Sequence, residues 1–522
     1  MYYFYIPFAL TFFLHSYVFI TKMLHLYQLE SYKIITAIKK YKQQIKVGDF
    51  VLYVVLLIAF YSLFYAINSF VFKVIIISVF NLLFFIYLLN FVNVKNDSKL
   101  PLKYTRRIIR FLVVFTLLYL IILFVCAFNM SAINFNSLIF LCVLTSCIMF
   151  ILTHFILLPI EKLVYFYFLQ KAKRKLAKRK DVIKIAITGS FGKTTTKYIL
   201  YSILKQKYSV LITPNSYNTP MGLSKTILKE LNNNHKVFIM EMGANKVNDI
   251  KYLCKKFKPE MGILTNIGKA HLQSFKTISN IINTKCELPN NLYGSKFMVF
   301  NAENKYIFDY AVKYKPEKIM VGKNNELYAK INKVSENGSD FEIYYKNQKY
   351  LEANTKLLGE HNINNILLCV AMAINLGLSK QQIINGIKKI EPIKNRLELI
   401  KQDNGAIILN DSYNSNPTGC KVALNALSLF SGKKVVITPG MVELGNDQYR
   451  ENYKFGKEIA KVADYVFVVN NVNKDAIVNG LFDAGFDFEN VKTVSSFNKI
   501  KFCNFKKGDV VLIENDLPDN YK

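Results

Sequence analysis

Eight consecutive residues carry the plainest chemistry in this sequence: Gly189-Ser-Phe-Gly192-Lys193-Thr194-Thr195-Thr196. An apolar run, Val182–Thr188, precedes them, and a helical pattern, Lys197–Lys207, follows. Strand, glycine loop and helix is the setting in which a chain grips phosphate. Glycine lets backbone N–H groups turn toward the oxygens, and the helix N-terminus adds its positive end. There Gly189, Ser190, Gly192, Lys193, Thr194 and Thr195 are the candidate nucleotide contacts, Lys193 for the β- and γ-phosphates and Thr194 for Mg²⁺. Where the general pattern has its first glycine, this chain has Ile187, so the loop is a shortened form.

The elements that position this loop follow a first third of different character. Tyr2–Leu24, Asp49–Asn68, Phe70–Val92, Phe111–Phe128 and Leu138–Leu158 are mainly apolar. Each approaches the roughly 20 residues that cross a bilayer as a helix. Basic residues cluster after the first span (Lys33 to Lys46), the third (Lys95 to Arg110) and the fifth (Lys171 to Lys180), while the loops at Ser69 and Asn129–Asn136 are nearly uncharged. Basic loops stay in the cytoplasm, so the pattern predicts five spans, an external N-terminus and a cytoplasmic chain after Leu158. The first span has neither the basic lead-in nor the cleavage site of a signal peptide. Lys171–Lys180 reads equally as a contact for anionic membrane lipid and as a plain stop-transfer flank.

The net charge of +32 over 522 residues sits largely beside these spans. Topology accounts for it, and without a zinc-finger, helix-turn-helix or RNA-recognition signature no nucleic-acid partner is expected. The eight cysteines include no CxxC pair, which argues against structural zinc and for a reducing compartment around the soluble part.

TGSFGKTTTK resembles the ATP loop of the Mur ligases, and further blocks follow in that family's order: Thr213–Gly222, Ile239–Ala244, Thr265–His271, Lys285–Leu288, Gly359–Asn365, Asn395–Leu397, Asn410–Pro417 and Pro439–Gly445. The resemblance implies an ATP-dependent acid–amino-acid ligase of peptidoglycan precursor synthesis, using ATP and Mg²⁺, at the inner membrane of a bacterium. In that chemistry ATP turns a carboxylate into an acyl phosphate and an amine displaces phosphate. Lys193, Glu241, His271 and Lys285 are the implied catalytic residues. Thr194, Glu241, His271 and Lys285 are the implied metal site, with Lys285 carbamylated. His361, Asn362 and Asn365 are implied at the adenine, Arg396 at phosphate and Asp411 at the ribose, with Asn410 where relatives often carry a second Asp. Tyr413, Asn414 and Asn416 would line the substrate cleft. Asn215 and Asn218 would orient substrate or phosphate, although turn formation explains an Asn/Pro/Gly-rich loop equally well.

The predicted architecture is an α-helical membrane region over 1–180, a mostly parallel α/β ATP-binding domain over 181–392 and a second α/β domain over 393–522. A β-rich excursion is expected near Tyr328–Leu351, and buried strands of the last domain at Lys433–Thr438, Asp464–Val469 and Asp509–Ile513. Two departures from the family fall on substrate binding. The membrane third replaces the usual uridine-nucleotide domain, and Glu514-Asn-Asp-Leu-Pro replaces the expected lysine-glycine-serine-arginine block. Three readings follow: D-Ala-D-Ala addition to a muramoyl peptide, the same ligation on another acceptor (a lipid-linked glycopeptide or an anionic polypeptide), and an ATP-binding membrane sensor without turnover. The partners implied are a small peptide, a nucleotide-sugar or lipid-linked substrate, and membrane lipid.

Overall fold

The computed structural model describes residues 19–44, 72, 101–129, 146–294, 296–413 and 415–517. The chain divides into two compact units: Met1–Phe166 with Pro518–Lys522, and Tyr167–Leu517.

The first unit is helical where described, over residues 19–29, Ile34–Gln44, Arg106–Asn129 and the start of Ser146–Ala177. Phe19, Met23, Leu24, Tyr27, Phe111, Phe115 and Phe150 form its core. Apolar side chains also cover the outside, with Leu117, Ile121, Phe124 and Phe155 all exposed. Among the described residues one helix, Ile148–Ala177, is long and apolar enough to cross a membrane. Of the five expected spans, the fourth falls on Arg106–Asn129 and the fifth largely on Ser146–Ala177. The first is described only from Phe19, and the second and third, Phe72 apart, lie outside the described residues. The last helix does not stop near Leu158. It runs on through Pro159 to Ala177, because the Lys, Arg, Leu and Ala that follow are strong helix formers.

The second unit holds two sheets. The first has the order β2-β3-β1-β4-β5-β6-β7-β8-β9. Its parallel strands are β1 (Ile183–Thr188), β2 (Val210–Ile212), β3 (Val237–Glu241), β4 (Met261–Leu264), β5 (Phe297–Asn301) and β6 (Lys318–Val321). β7 (Leu327–Ser335), β8 (Gly338–Tyr345) and β9 (Gln348–Thr355) form an antiparallel meander. The expected excursion is therefore part of the main sheet, joined to it by the single parallel pair Val321↔Leu327. Strands with both faces covered read as continuous apolar runs, as VFIM in β3 does. β1 lies between β3 and β4, so chain order reverses there. A crevice opens beyond the carboxyl ends of these strands, where ligands of such sheets bind. Ile185, Ile187, Ile239, Ile263, Ile199 and Leu200 pack the phosphate-loop helix, Lys193–Leu204, onto the sheet beside helix Glu360–Asn375.

The second sheet has the order β10-β11-β15-β12-β13-β14. β10 (Glu398–Lys401) pairs antiparallel with β11 (Ile407–Asp411). β15 (Val510–Glu514), β12 (Lys434–Thr438), β13 (Tyr465–Val469) and β14 (Val491–Val494) continue it in parallel.

Candidate active site

The phosphate loop leaves β1 at Thr188 and enters its helix at Lys193. Gly192 caps that helix with φ 81°, a left-handed backbone that a side chain would strain, and no side chain caps its first-turn N–H groups. At Gly189 a Cβ would meet Thr265 Oγ1 at 2.1 Å, so only glycine lets the loop from β4 approach. That loop braces the first: Thr265 Oγ1 donates to Phe191 O at 2.6 Å, and Ser190 N to Asn266 O at 2.7 Å. Uncapped N–H groups on a helix N-terminus suit an anion. Lys193 Nζ folds over the loop, donating to Gly189 O at 2.8 Å and Ser190 O at 3.2 Å. Burial, countered by Glu241 and reinforced by Arg396, lowers its ammonium to about 8. Thr195 sits on the first turn beside Thr194.

Glu241, at the end of β3, gathers the neighbouring groups. Thr194 Oγ1 donates to its Oε2 at 3.0 Å and Asn218 Nδ2 to its Oε1 at 3.1 Å. Lys197 Nζ, fully buried, lies 3.0 Å from Oε2 and also donates to Asn215 O. Burial pushes the Glu241 carboxyl up, but Lys197 and Lys193 more than offset this and hold it below its usual range. Asn215, at φ 46°, presents its carbonyl inward, so turn formation and site building coincide there. Lys197 escaped the sequence reading, although its spacing of four from Lys193 already puts both lysines on one helix face.

Of the four residues expected at the metal, Thr194 and Glu241 are in contact. Among the described residues no cluster of three or more His, Cys, Asp or Glu could hold a metal ion. His271 instead bonds Glu443 through Nδ1. Lys285 is 3 % exposed, with Nζ 5.9 Å from the Phe275 ring centroid. Burial, with Lys193 adding to it, lowers its ammonium to about 7. What is assembled, the Thr194 hydroxyl and the Glu241 carboxylate, is an all-oxygen pair that suits Mg²⁺.

Helix Glu360–Asn375 is tied to the loop by amides. Asn365 Nδ2 donates to Asn362 Oδ1 at 3.2 Å, and Thr196 Oγ1 reaches Asn365 Oδ1 at 3.4 Å. Asn362 also donates to Leu358 O at 2.9 Å. His361 lies at the start of the helix, where burial lowers its imidazole to about 4 and keeps it neutral.

Asn395-Arg396-Leu397 opens the second sheet with two left-handed residues, Asn395 at φ 59° and Leu397 at φ 48°. The turn sets Arg396 on Tyr413, Nη1 donating to its carbonyl at 2.9 Å and Cζ 4.3 Å from its ring centroid. Leu397 N donates to Asp411 Oδ1 at 3.3 Å, and Asn410 Nδ2 to Asn395 Oδ1 at 2.9 Å. Thr194, Tyr198, Asn215, Arg396 and Tyr413 share a cleft of about 530 Å³. Asn416 caps helix Pro417–Leu427, its Oδ1 accepting from Gly419 N at 3.0 Å. Asn414 lies outside the described residues.

Three further groups went unread in the sequence. Lys269 Nζ bridges Asp447 at 2.8 Å and Glu451 at 2.9 Å, and Glu443 holds His271. Both link the β4 loop to the second sheet's domain. Glu514, paired with Asp411 in the β11–β15 register, is 1 % exposed. Its Oε1 accepts from Ser415 at 2.5 Å and its Oε2 has no partner.

An uncapped glycine loop at a topological switch point, with a lysine and a buried acid at the adjacent strand end, defines a P-loop nucleotide-binding α/β protein. The Mur ligase middle domain matches residues 187–373, and the Mur ligase, glutamate ligase domain matches 395–514. Through these two domains the chain belongs to the Mur ligase family. It is similar to UDP-N-acetylmuramoyl-tripeptide–D-alanyl-D-alanine ligases. With that of Buchnera aphidicola subsp. Baizongia pistaciae it shares 32% identity over 295 residues, 56% of this chain and 64% of the other. With that of Borreliella burgdorferi it shares 33% over 309 residues, 58% and 65%. In both comparisons the chain spans slightly under two thirds of the relative's length. The MurF ligase of Thermotoga maritima in complex with ADP superposes with TM-score 0.60 and 26% identity, covering 67% of this chain and 80% of that one.

Proposed function

We propose that this chain is an ATP-dependent amide ligase of peptidoglycan precursor synthesis that joins D-alanyl-D-alanine to a muramoyl tripeptide. The observation that carries the reading is the phosphate-loop crevice. Thr194, Lys197 and Asn218 converge on Glu241 there, in a chain whose similar relatives bear that enzyme name. The physical task is to bring a carboxylate to an anionic γ-phosphate, which repels it strongly in a partly dry cleft. Lys193 and the uncapped N–H groups hold phosphate, Arg396 faces it from the second domain, and Lys197 keeps Glu241 ionised and fixed. His361, Asn362 and Asn365 take the adenine side and Asp411 the ribose, while Asn215, Asn218 and Tyr413 border the carboxylate and amine. Mg²⁺, held by Thr194 and Glu241, would supply charge neutralisation. Lys285 is the residue to be carbamylated, its lowered ammonium giving the neutral amine that this requires.

The first third anchors the ligase by up to five spans in a bacterial inner membrane, with the catalytic domains cytoplasmic. The long apolar helix, the apolar outer faces of the first unit and the basic loops support this. The domain limits proposed are 1–180, 181–392 and 393–522. A different acceptor, such as a lipid-linked glycopeptide, is the second reading, favoured by the acidic end of β15 and by the part of the relatives' length left unmatched.

Phosphate release by purified full-length protein, given ATP, Mg²⁺, UDP-muramoyl tripeptide and D-Ala-D-Ala, tests the reading. Release that needs both substrates is expected. Release only with a lipid-linked acceptor selects the second reading, and none with either removes both.

A further inference from the structure

The helical first unit contains a cavity of about 220 Å³ whose lining pairs Arg107, Glu161 and Lys162 with Phe111, Leu157 and Leu158. The charges do not balance. Arg110 donates to Glu161 Oε1 from Nε at 2.8 Å and from Nη2 at 2.6 Å, which commits the one carboxylate. Arg107 lies 3.6 Å from Glu161 Oε2, and its Cζ is over the Tyr32 ring, 3.9 Å from the centroid. Lys162 has no ion-pair or hydrogen-bond partner among the described residues. His154 adds no negative charge, and its Nδ1 is hydrogen-bonded with Tyr27 Oη at 2.6 Å. Arg107 and Lys162 thus line the cavity beside an apolar wall, with one carboxylate that Arg110 already pairs.

We propose that this cavity binds the phosphate end of an amphiphilic phosphate ester. A guanidinium and an ammonium form the donor set that phosphate oxygens favour. Phe111, Leu157 and Leu158 give the adjoining carbon chain a surface. Ordinary small-molecule sites measure about 300–1,000 Å³, so this smaller one takes a headgroup and leaves the chain outside, where Phe155 and Ile156 are exposed on the same helix. The level in the helix agrees. The apolar half ends at Glu161 and Lys162, and Tyr165-Phe-Tyr-Phe168 follows, the aromatic belt of a membrane–water boundary. The proposal shares the membrane reading of the first unit but not the ligase reading, and its test leaves the catalytic residues untouched.

The test uses full-length protein in phosphatidylcholine nanodiscs, titrated separately with geranyl monophosphate, geraniol and inorganic phosphate, and followed by ³¹P NMR and thermophoresis. Saturable binding of geranyl monophosphate is expected. It should weaken about tenfold or more in R107Q/K162Q, the loss of at least one charge-assisted hydrogen bond, and be retained in K313Q, an exposed lysine far from the cavity in the sequence. Geraniol should not saturate, and inorganic phosphate should compete only far more weakly. Equal affinity for inorganic phosphate would make this a free-phosphate site and overturn the amphiphile. Unchanged binding in a normally helical R107Q/K162Q, by circular dichroism, would overturn the site altogether.

Discussion

Lys197 and Glu241 form an ion pair 3.0 Å long with both side chains sealed from solvent, the lysine 0% and the glutamate 1% exposed. The pair stands one helical turn from Lys193, so its integrity sets the shape of the crevice. Removing one partner leaves the other charge buried and unmatched. K197M should therefore destabilise the second unit by about 3–5 kcal/mol. The double variant K197M/E241L should recover most of that stability in urea unfolding but no ligase activity. Full stability in K197M alone would mean that the pair is not closed in solution.

Lys285 is the second buried lysine near the loop, and burial with Lys193 beside it brings its ammonium down to about 7. Only the neutral amine reacts with carbon dioxide, so modification should grow as pH rises through that value. With ¹³C-bicarbonate, the wild-type protein should show a carbamate resonance that strengthens between pH 6 and about 8. K285R should lack both the resonance and most of the activity, a loss on the order of 10²-fold for a missing electrostatic group. A signal equal in K285R would assign it elsewhere.

Glu514 is an acid without full satisfaction. Burial and the neighbouring Asp411 raise its carboxyl from 4.5 to about 8, while burial raises Asp411 to about 6 despite Arg396. Between those limits the folded chain keeps a proton that the unfolded chain releases. Stability present below pH 4.5 is thus lost as pH rises toward 8. E514Q retains an acceptor for Ser415 and removes the proton, so its melting temperature should fall less than wild type's between pH 5 and about 8.5. Parallel melting curves for the two proteins would show that Glu514 is ionised throughout.

The β4 loop and the second domain meet through His271–Glu443 and Lys269–Asp447. His271 and Glu443 are both more than a third exposed, so their loss should cost under about 1 kcal/mol of stability. The expected effect is on domain coupling. In a double-variant cycle H271A and E443A should be non-additive in kcat/KM by about 0.5–3 kcal/mol. Additive losses would separate the two residues functionally.

Much of the catalytic part was legible because its signals are local. The glycine loop between an apolar strand and a helix can be read from eight residues, and the parallel strands at Val237, Lys434 and Val510 from their unbroken apolar runs. What escaped was set by distant pairing. Lys197 looks like any helix lysine until β3 delivers Glu241 beneath it. Asn416 reads as a cleft residue, and its capping of the helix that begins one residue later shows only in the structure. The three strands from Leu327 look like an excursion until one backbone pair joins them to β6. His271 is legible only as part of its block, and no local pattern could reveal the bond from its Nδ1 to Glu443.

The linker Asn395–Leu397 combines three tasks in adjacent residues. It joins the two sheets, its central arginine faces the cleft, and its final N–H steadies Asp411. With two of its three residues already in the left-handed region, it has little freedom to pivot without unseating the others. Any reorientation of one sheet against the other must therefore be felt at once by Arg396 and by Asp411. The joint is itself a sensing part of the machine, and inserting a residue into it should uncouple nucleotide binding from ligation while leaving both halves folded.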